Sequence, residues 1–414
     1  MLSTNLGSEE KLKRIDEENV YNCKSSGISL VKSAAIYGAN ASGKSNIIKA
    51  MRFMRDFVIN SSRTGQNLDI IPVEPFLLDV ESTSNPSGFE VIILIDGTRY
   101  RYGFELDSEK IHSEWLYYVP KNREFKLFIR EGDKFDISEK FKREAKDLQE
   151  LTRPNALFLS VIAQFNGIIS GGVTKWFSQI MFIDYRHQPS FSQPLRPILR
   201  SDENRKAFAE FLQVFDVGIS DLKVEETNVF DRPELSSVPN NIRDVVVKNN
   251  LLTAHTIKTV HDVYDSNGNL VSNIEFDLDT HESDGTKKLY SILPSLMTAL
   301  VRGGVVVIDE LDSRLHPLLT EKLINLFHTG SVNEIAQLIF TTHDTNLLRK
   351  ENFRRDQIWF VEKTQKGVST LYSLAEIQTR NDANYEKDYL KGRYGAIPFL
   401  NTSIIEEHLG VKSV

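Results

Sequence analysis

The stretch Gly38-Ala39-Asn40-Ala41-Ser42-Gly43-Lys44-Ser45 decides how the rest of the 414-residue chain is read. Just before it, Ala34-Ala35-Ile36-Tyr37 has the length and apolar character of a short buried strand. Just after it, Ile47, Ile48, Met51, Met54 and Val58 recur at helical spacing. Strand, glycine-bounded loop and helix are the setting in which G-x-x-x-x-G-K-S has a physical meaning. The glycines let the backbone wrap so that its N–H groups converge on phosphate oxygens, at the positive end of the following helix dipole. Lys44 then serves as a point charge for the β- and γ-phosphates, and Ser45 offers a hydroxyl to Mg²⁺. The expectation is a nucleoside triphosphate site.

Much farther along the chain lie three segments that complete such a site. Gly304-Val305-Val306-Val307-Ile308-Asp309-Glu310 is a buried strand ending in two acids. Nucleotide sites of open α/β sheets lie at the carboxyl ends of the strands, which puts Asp309 where it can hold Mg²⁺ through water. Glu310, one residue on, is placed to polarise the water that attacks the γ-phosphate. A further apolar strand, Gln337-Leu338-Ile339-Phe340, ends at Thr341-Thr342-His343, so His343 sits at a strand tip where it can sense a γ-phosphate. Upstream of both, Ser283-Asp284-Gly285 precedes a helical pattern of Leu289, Ile292, Leu293 and Leu296, the spacing of a capped helix N-terminus.

Between these segments the character of the chain changes twice. Residues 89–95, 98–106, 114–119 and 125–130 are β-rich runs separated by turn signals, an antiparallel meander that would curl over one side of the nucleotide. Residues 138–151, 155–165, 173–180 and 201–215 read as helices, the last with a Ser-Asp start and Phe208, Phe211, Leu212 and Phe215 on one face as core. A mixed segment, 223–275, follows, with a polar loop near 233–241 and an Asn267-Gly268 turn between strand-like runs. The first 29 residues are polar, with Lys11, Lys13 and Arg14 ahead of Asp16, Glu17 and Glu18, a solvated face.

Composition narrows the class. The chain is 40% hydrophobic and 26% charged, an ordinary globular balance. A single cysteine, Cys23, excludes a disulfide framework or a zinc site built on paired cysteines. No apolar run approaches the ~18 residues that span a bilayer, and no signal-peptide core is present, so a cytoplasmic protein without a membrane partner is expected. The net charge of −7 argues against broad coating of nucleic acid.

The order phosphate loop, Ser-x-Gly, strand with Asp-Glu and strand with terminal His resembles that of ABC-type ATPase heads, the group that includes chromosome-structural and DNA-repair ATPases. Residues 37–45, the run Asp309-Glu310-Leu311-Asp312-Ser313-Arg314-Leu315-His316-Pro317 and the run 389–398 (Tyr-Leu-Lys-Gly-Arg-Tyr-Gly-Ala-Ile-Pro) are similar to one subgroup. These are the prokaryotic AAA-15/AAA-21-type ATPases linked to abortive infection and phage defence. The resemblance runs from about residue 30 to 400. It implies an α/β head with a largely parallel P-loop sheet, an antiparallel β subdomain and a mainly helical insertion. The corresponding division is 1–135 and 276–414 for the halves of the head and 136–275 for the insertion.

Carried over by position, residues Gly38, Ala39, Asn40, Ala41, Ser42, Gly43, Lys44 and Ser45 would bind ATP, with Ser45 and Asp309 on Mg²⁺. Glu310 would be the catalytic base, assisted by Lys44, and His343 the switch histidine. Ser283, Gly285 and Asp312 would meet the nucleotide of a second subunit, giving a homodimer or higher homo-oligomer with ATP sandwiched between heads. Glu282 and Asp284 depart from the transporter signature. Gln66 or the turn Glu74-Pro75-Phe76 stands where a Q-loop belongs, and the first strands of the head look shortened. The resemblance further implies a separately encoded effector, a nuclease of Toprim-like or other type, and a phage protein or DNA as trigger. A DNA-repair ATPase acting directly on DNA is the alternative, and a transporter subunit a third.

Overall fold

The computed structural model describes residues 15–64, 66, 69–120, 123–183, 201–215, 218–228, 253–380 and 383–398. The polar loop near 233–241 and the basic residues Lys11, Lys13 and Arg14 lie outside them. By contacts the chain divides into two compact units. The first comprises 1–182, 303–310 and 327–414, the second 183–302 and 311–326.

The first unit opens with an antiparallel pair, β1 (Val20–Cys23) and β2 (Ile28–Val31). Strand β3 (Ser33–Tyr37) leads through the phosphate-loop sequence into α1 (Lys44–Asn60). Five antiparallel strands follow in meander order: β4 (Ser87–Ile95), β5 (Thr98–Leu106), β6 (Ile111–Val119), β7 (Phe125–Glu131) and β8 (Lys134–Ile137). The β4–β5 connection is Asp96-Gly97, both in the left-handed region that a tight hairpin requires. Helices α2 (Glu139–Ala145), α3 (Phe158–Gln164) and α4 (Ile168–Ser178) and strand β9 (Ile180–Ile183) come next.

The second unit contains α5 (Asp202–Gln213), the antiparallel strands β10 (Asp221–Asn228), β11 (Thr253–Tyr264) and β12 (Leu270–Asp277), the single turn α6 (Leu278–His281) and the long α7 (Asp284–Arg302). The chain then returns through β13 (Val305–Ile308), α8 (Pro317–His328), β14 (Gln337–Thr341), β15 (Ile358–Lys363), β16 (Ser369–Ser373) and α9 (Tyr385–Leu390).

What positions the site is the six-stranded sheet β16-β15-β3-β14-β13-β9. Strands β13, β14, β3 and β15 run parallel, and β16 closes one edge antiparallel. Every residue of β13, Val-Val-Val-Ile, is buried, as expected of a parallel strand covered on both faces. Register aligns Ile308 with Phe340, and Phe340 with Ala35. The strand tips at 38, 341 and 309 therefore emerge along one edge of the sheet.

Helix α1 lies against the antiparallel sheet. Phe53 and Phe57 stack at 5.5 Å, and they meet Phe89 at 5.0 Å and Phe104 at 5.8 Å. Phe104, fully buried, contributes ~1.5–3 kcal/mol, and the three partly exposed rings contribute less. Glu114 of β6, fully buried, accepts from Phe158 N (2.7 Å), Leu159 N (3.0 Å) and Tyr102 OH (2.9 Å). These bonds pin the first turn of α3 to the sheet. Burial holds the Glu114 carboxyl above its usual range, against the pull of Arg130 at 3.8 Å.

Several elements differ from the sequence expectation. The meander has a fifth strand, β8. The helix expected over 138–151 stops at Ala145, because Lys146 takes ψ 122° and Asp147 is left-handed with φ 59°. The helix expected over 173–180 starts at Ile168, and residues 180–183 form a sheet strand. The mixed segment 223–275 contributes an antiparallel three-stranded sheet, with Gly268 at φ 83° in the expected turn. The boundary of the units at 182/183 also differs from the division at 135/136, since α2, α3 and α4 belong to the first unit.

Candidate nucleotide-binding site

The loop after β3 has alternating backbone hand. Ala41 has φ 59° and Gly43, the residue before α1, has φ 110°. The two glycines are also required by close packing. A Cβ on Gly38 would lie 2.6 Å from Val361 O, and one on Gly43 would lie 2.4 Å from Ser369 Oγ. The β15–β16 hairpin thus presses on the loop from outside, and Ser369 Oγ donates to Ser42 O at 2.7 Å. Lys44, 6% exposed, folds back over its own loop and donates to Gly38 O (2.8 Å) and Ala39 O (3.0 Å). Ser42 Oγ is buried and makes no hydrogen bond, a deficit worth about 1–3 kcal/mol that an added oxygen-rich ligand would relieve.

The acids sit beside this loop. Ser45 Oγ donates to Asp309 Oδ2 at 2.8 Å. Thr341, fully buried at the end of β14, donates through Oγ1 to Asp309 Oδ1 at 2.6 Å and accepts Glu310 N at 2.7 Å. Glu310 has φ 53°, a conformation that costs a non-glycine residue of order 1–3 kcal/mol and persists where its surroundings enforce it. His343 is exposed on the connection beyond β14, just after Thr342, whose N–H donates to Ile36 O at 3.1 Å. Lys44, Ser45, Asp309 and Glu310 are therefore together in the first unit, with His343 leaving the same edge of its sheet.

Ser283, Gly285 and Asp312 belong to the second unit. Ser283 caps α7: its Oγ accepts Thr286 N at 3.2 Å and its carbonyl accepts Lys287 N at 2.9 Å. A Cβ on Gly285 would lie 2.8 Å from Arg314 O. Arg314 pairs with Asp284 at 2.5 Å, and the buried Lys288 donates to Leu311 O (2.9 Å) and Ser313 O (2.6 Å). The start of α7 and the segment 311–315, which carries Asp312, are thus one assembly, and Gly285 is small because that segment crosses it. Glu282 receives His261 Nε2 at 2.8 Å, which accounts for an acid at that position.

Gln66 is exposed, its N–H donating to Asp69 at 2.5 Å and its carbonyl accepting from Asn155 at 2.8 Å, and Glu74 is exposed. Sequence reasoning passed over Thr341 and Ser369. The first has a local signal, a hydroxyl residue closing an apolar strand. The second has none.

A parallel sheet with a glycine loop, lysine and serine at one strand tip and an Asp-Glu pair two strands away, β14 between them, defines a P-loop nucleotide-binding fold. Residues 33–349 match the AAA_21 family, described as "AAA domain, putative AbiEii toxin, Type IV TA system". The chain belongs to that family. Among solved structures it is similar to the SMC head domain from Thermotoga maritima, with 15% identity, 87% of this chain and 97% of that chain covered, and a TM-score of 0.37. It is also similar to an SMC head bound to the C-winged helix domain of ScpA, with 14% identity, coverage of 86% and 96%, and a TM-score of 0.38. No curated protein sequence matches the chain at a significant level. No helix among the described residues is long and apolar enough to cross a membrane.

Proposed function

We propose that this protein binds and hydrolyses ATP with Mg²⁺, and that it does so as a pair of chains. The observation that carries the reading is the 2.8 Å bond from Ser45 Oγ to Asp309 Oδ2, which unites a loop hydroxyl and a strand-end acid 264 residues apart. The donors fit a Mg²⁺–nucleotide. Hydroxyl and carboxylate are the hard oxygens that Mg²⁺ takes, and the buried Ser42 Oγ and the glycine cradle suit phosphate. Held by Ser45 and Asp309, Mg²⁺ would supply neutralisation of the phosphate charge.

In this reading Lys44 exchanges its two loop carbonyls for phosphate oxygens, the N–H groups of residues 38–45 orient the chain of phosphates, and Glu310 takes the proton of the attacking water. His343 responds to the γ-phosphate. Ser283 and Gly285, at the positive end of the 19-residue helix α7, with Asp312 beside them, complete the site of a partner copy. The family description, with its toxin and toxin–antitoxin terms, supports a role in prokaryotic anti-phage defence. There the protein would act as the sensor or scaffold that restrains a separate effector, a nuclease, in the cytoplasm.

Glu310→Gln tests the core of this. Turnover should fall about 10²–10⁴-fold, as expected on losing a general base, while nucleotide affinity stays. With ATP this variant should run as a dimer in light scattering, and adding Ser283→Arg should return it to monomer with nucleotide still bound. Normal turnover by Glu310→Gln would refute the assignment of the base.

A further inference from the structure

We propose that Thr341 is the positioning residue that sets both acids of the site and links them to the tip of β14. The proposal rests on reading Asp309 as the cation ligand and Glu310 as the base. Register places Thr341 across from Ile36 of β3, and Phe340 before it across from Ile308 of β13, so it stands between the loop strand and the acid strand.

One oxygen does two tasks there. Thr341 Oγ1 donates a hydrogen bond to Asp309 Oδ1 and accepts one from the N–H of Glu310. The other oxygen of Asp309 receives the Ser45 hydroxyl. The carboxylate is therefore held at both oxygens, by hydroxyls from two separate segments, and its rotation is blocked. The Glu310 backbone is left-handed, and the bond from its N–H to Thr341 keeps it so. That conformation sets the direction in which the Glu310 side chain departs. Beyond Thr341, Thr342 N is tied to Ile36 O, and His343 follows directly. A displacement of the β14 tip thus moves the histidine and both acids as a group. A hydroxyl is required for this, and valine, equal in shape, supplies none.

The test uses the full chain with Thr341→Val and Thr341→Ser. The readouts are kcat, KM, the Mg²⁺ concentration for half-maximal turnover, binding of a fluorescent ATP analogue in EDTA, and Tm. Thr341→Val should lower kcat about 10- to 100-fold and raise the Mg²⁺ requirement several-fold, the usual range for losing a partner of a metal ligand. Affinity in EDTA should stay within about twofold, since the loop is untouched, and Thr341→Ser should recover most of kcat. Wild-type kcat and Mg²⁺ requirement in Thr341→Val would overturn the proposal. So would a Thr341→Ser variant as impaired as the valine, because methyl packing would then be the cause. If the valine variant does not fold, Thr341→Ala against Thr341→Ser gives the same discrimination. Failure of the base assignment appears separately, as normal turnover in Glu310→Gln, and leaves the Mg²⁺ readout to judge Thr341 through Asp309.

Discussion

A lysine precedes the first residue of β3 and another follows the loop at its far end, and the molecule uses the two differently. Lys32 is 5% exposed and Lys44 6%, and each donates to two backbone carbonyls. The carbonyls of Lys32 come from distant segments, His328 O at 3.4 Å and Asn333 O at 3.2 Å. Around it the polar groups close on each other. Gln357 Nε2 donates to Ser33 Oγ at 2.9 Å, Asn19 Nδ2 donates to Gln357 Oε1 at 2.8 Å, and Ser33 Oγ lies 2.8 Å from His328 Nε2. Burial, with Lys32 nearby, pushes the His328 imidazole down to about 3, so the ring is neutral beside the Ser33 hydroxyl. The carbonyls of Lys44 belong to its own loop, and beside it Ser42 Oγ has no hydrogen bond. Burying a charge therefore does not by itself make a site. A cluster completed by other segments is structural, whereas a lysine folded onto its own loop beside an unsatisfied hydroxyl can trade its partners for a ligand.

The largest expected effect comes from exchanging the two lysines' fates. Lys44→Ala should weaken nucleotide binding at least ~100-fold while Tm stays, because the charge facing the phosphates is gone. Lys32→Met should do the reverse. Its loss leaves buried carbonyls unsatisfied, about 1–3 kcal/mol in chemical denaturation, with nucleotide affinity unchanged. A folded Lys32→Met protein that no longer binds nucleotide would break the comparison.

Another expected effect is pH-dependent. His328 titrates near 6.5 when unfolded and at about 3 when folded, so between these values the unfolded chain carries the extra proton. Its stabilising contribution is complete above pH 6.5 and shrinks as the pH falls toward 3, by up to about 1.4 kcal/mol per unit. The difference in unfolding free energy between wild type and His328→Gln, followed from pH 7 to 4, should show that slope. A pH-independent difference would mean that the ring takes up a proton in the fold. The smallest effect is expected for Ser369→Ala. It removes one bond to the Ser42 carbonyl, about 1 kcal/mol of folding stability, so Tm should fall slightly and nucleotide affinity by no more than several-fold by calorimetry.

How much of this was legible depends on the range of the interactions concerned. The phosphate loop, the Asp96-Gly97 hairpin and the capped start of α7 are written in runs of a few residues, where backbone hand and capping follow from local chemistry. The helix expected over 173–180 runs one residue into β9, because Ile180 continues its apolar pattern, and the sheet edge beside β13 decides otherwise. The early end of α2 was hidden too, since nothing in its charged sequence announces the turn at Lys146 and Asp147.

The sequence by itself determined the P-loop, the acid pair at the end of β13 and the small residue at 285, since spacing and residue type suffice for each. Only the tertiary structure decided that β14 stands between β3 and β13, that Thr341 bonds both acids, and that Ser369 and Val361 crowd the loop. Those facts depend on strand order and register, which arise from pairing between segments hundreds of residues apart, and no short stretch of sequence encodes such a pairing.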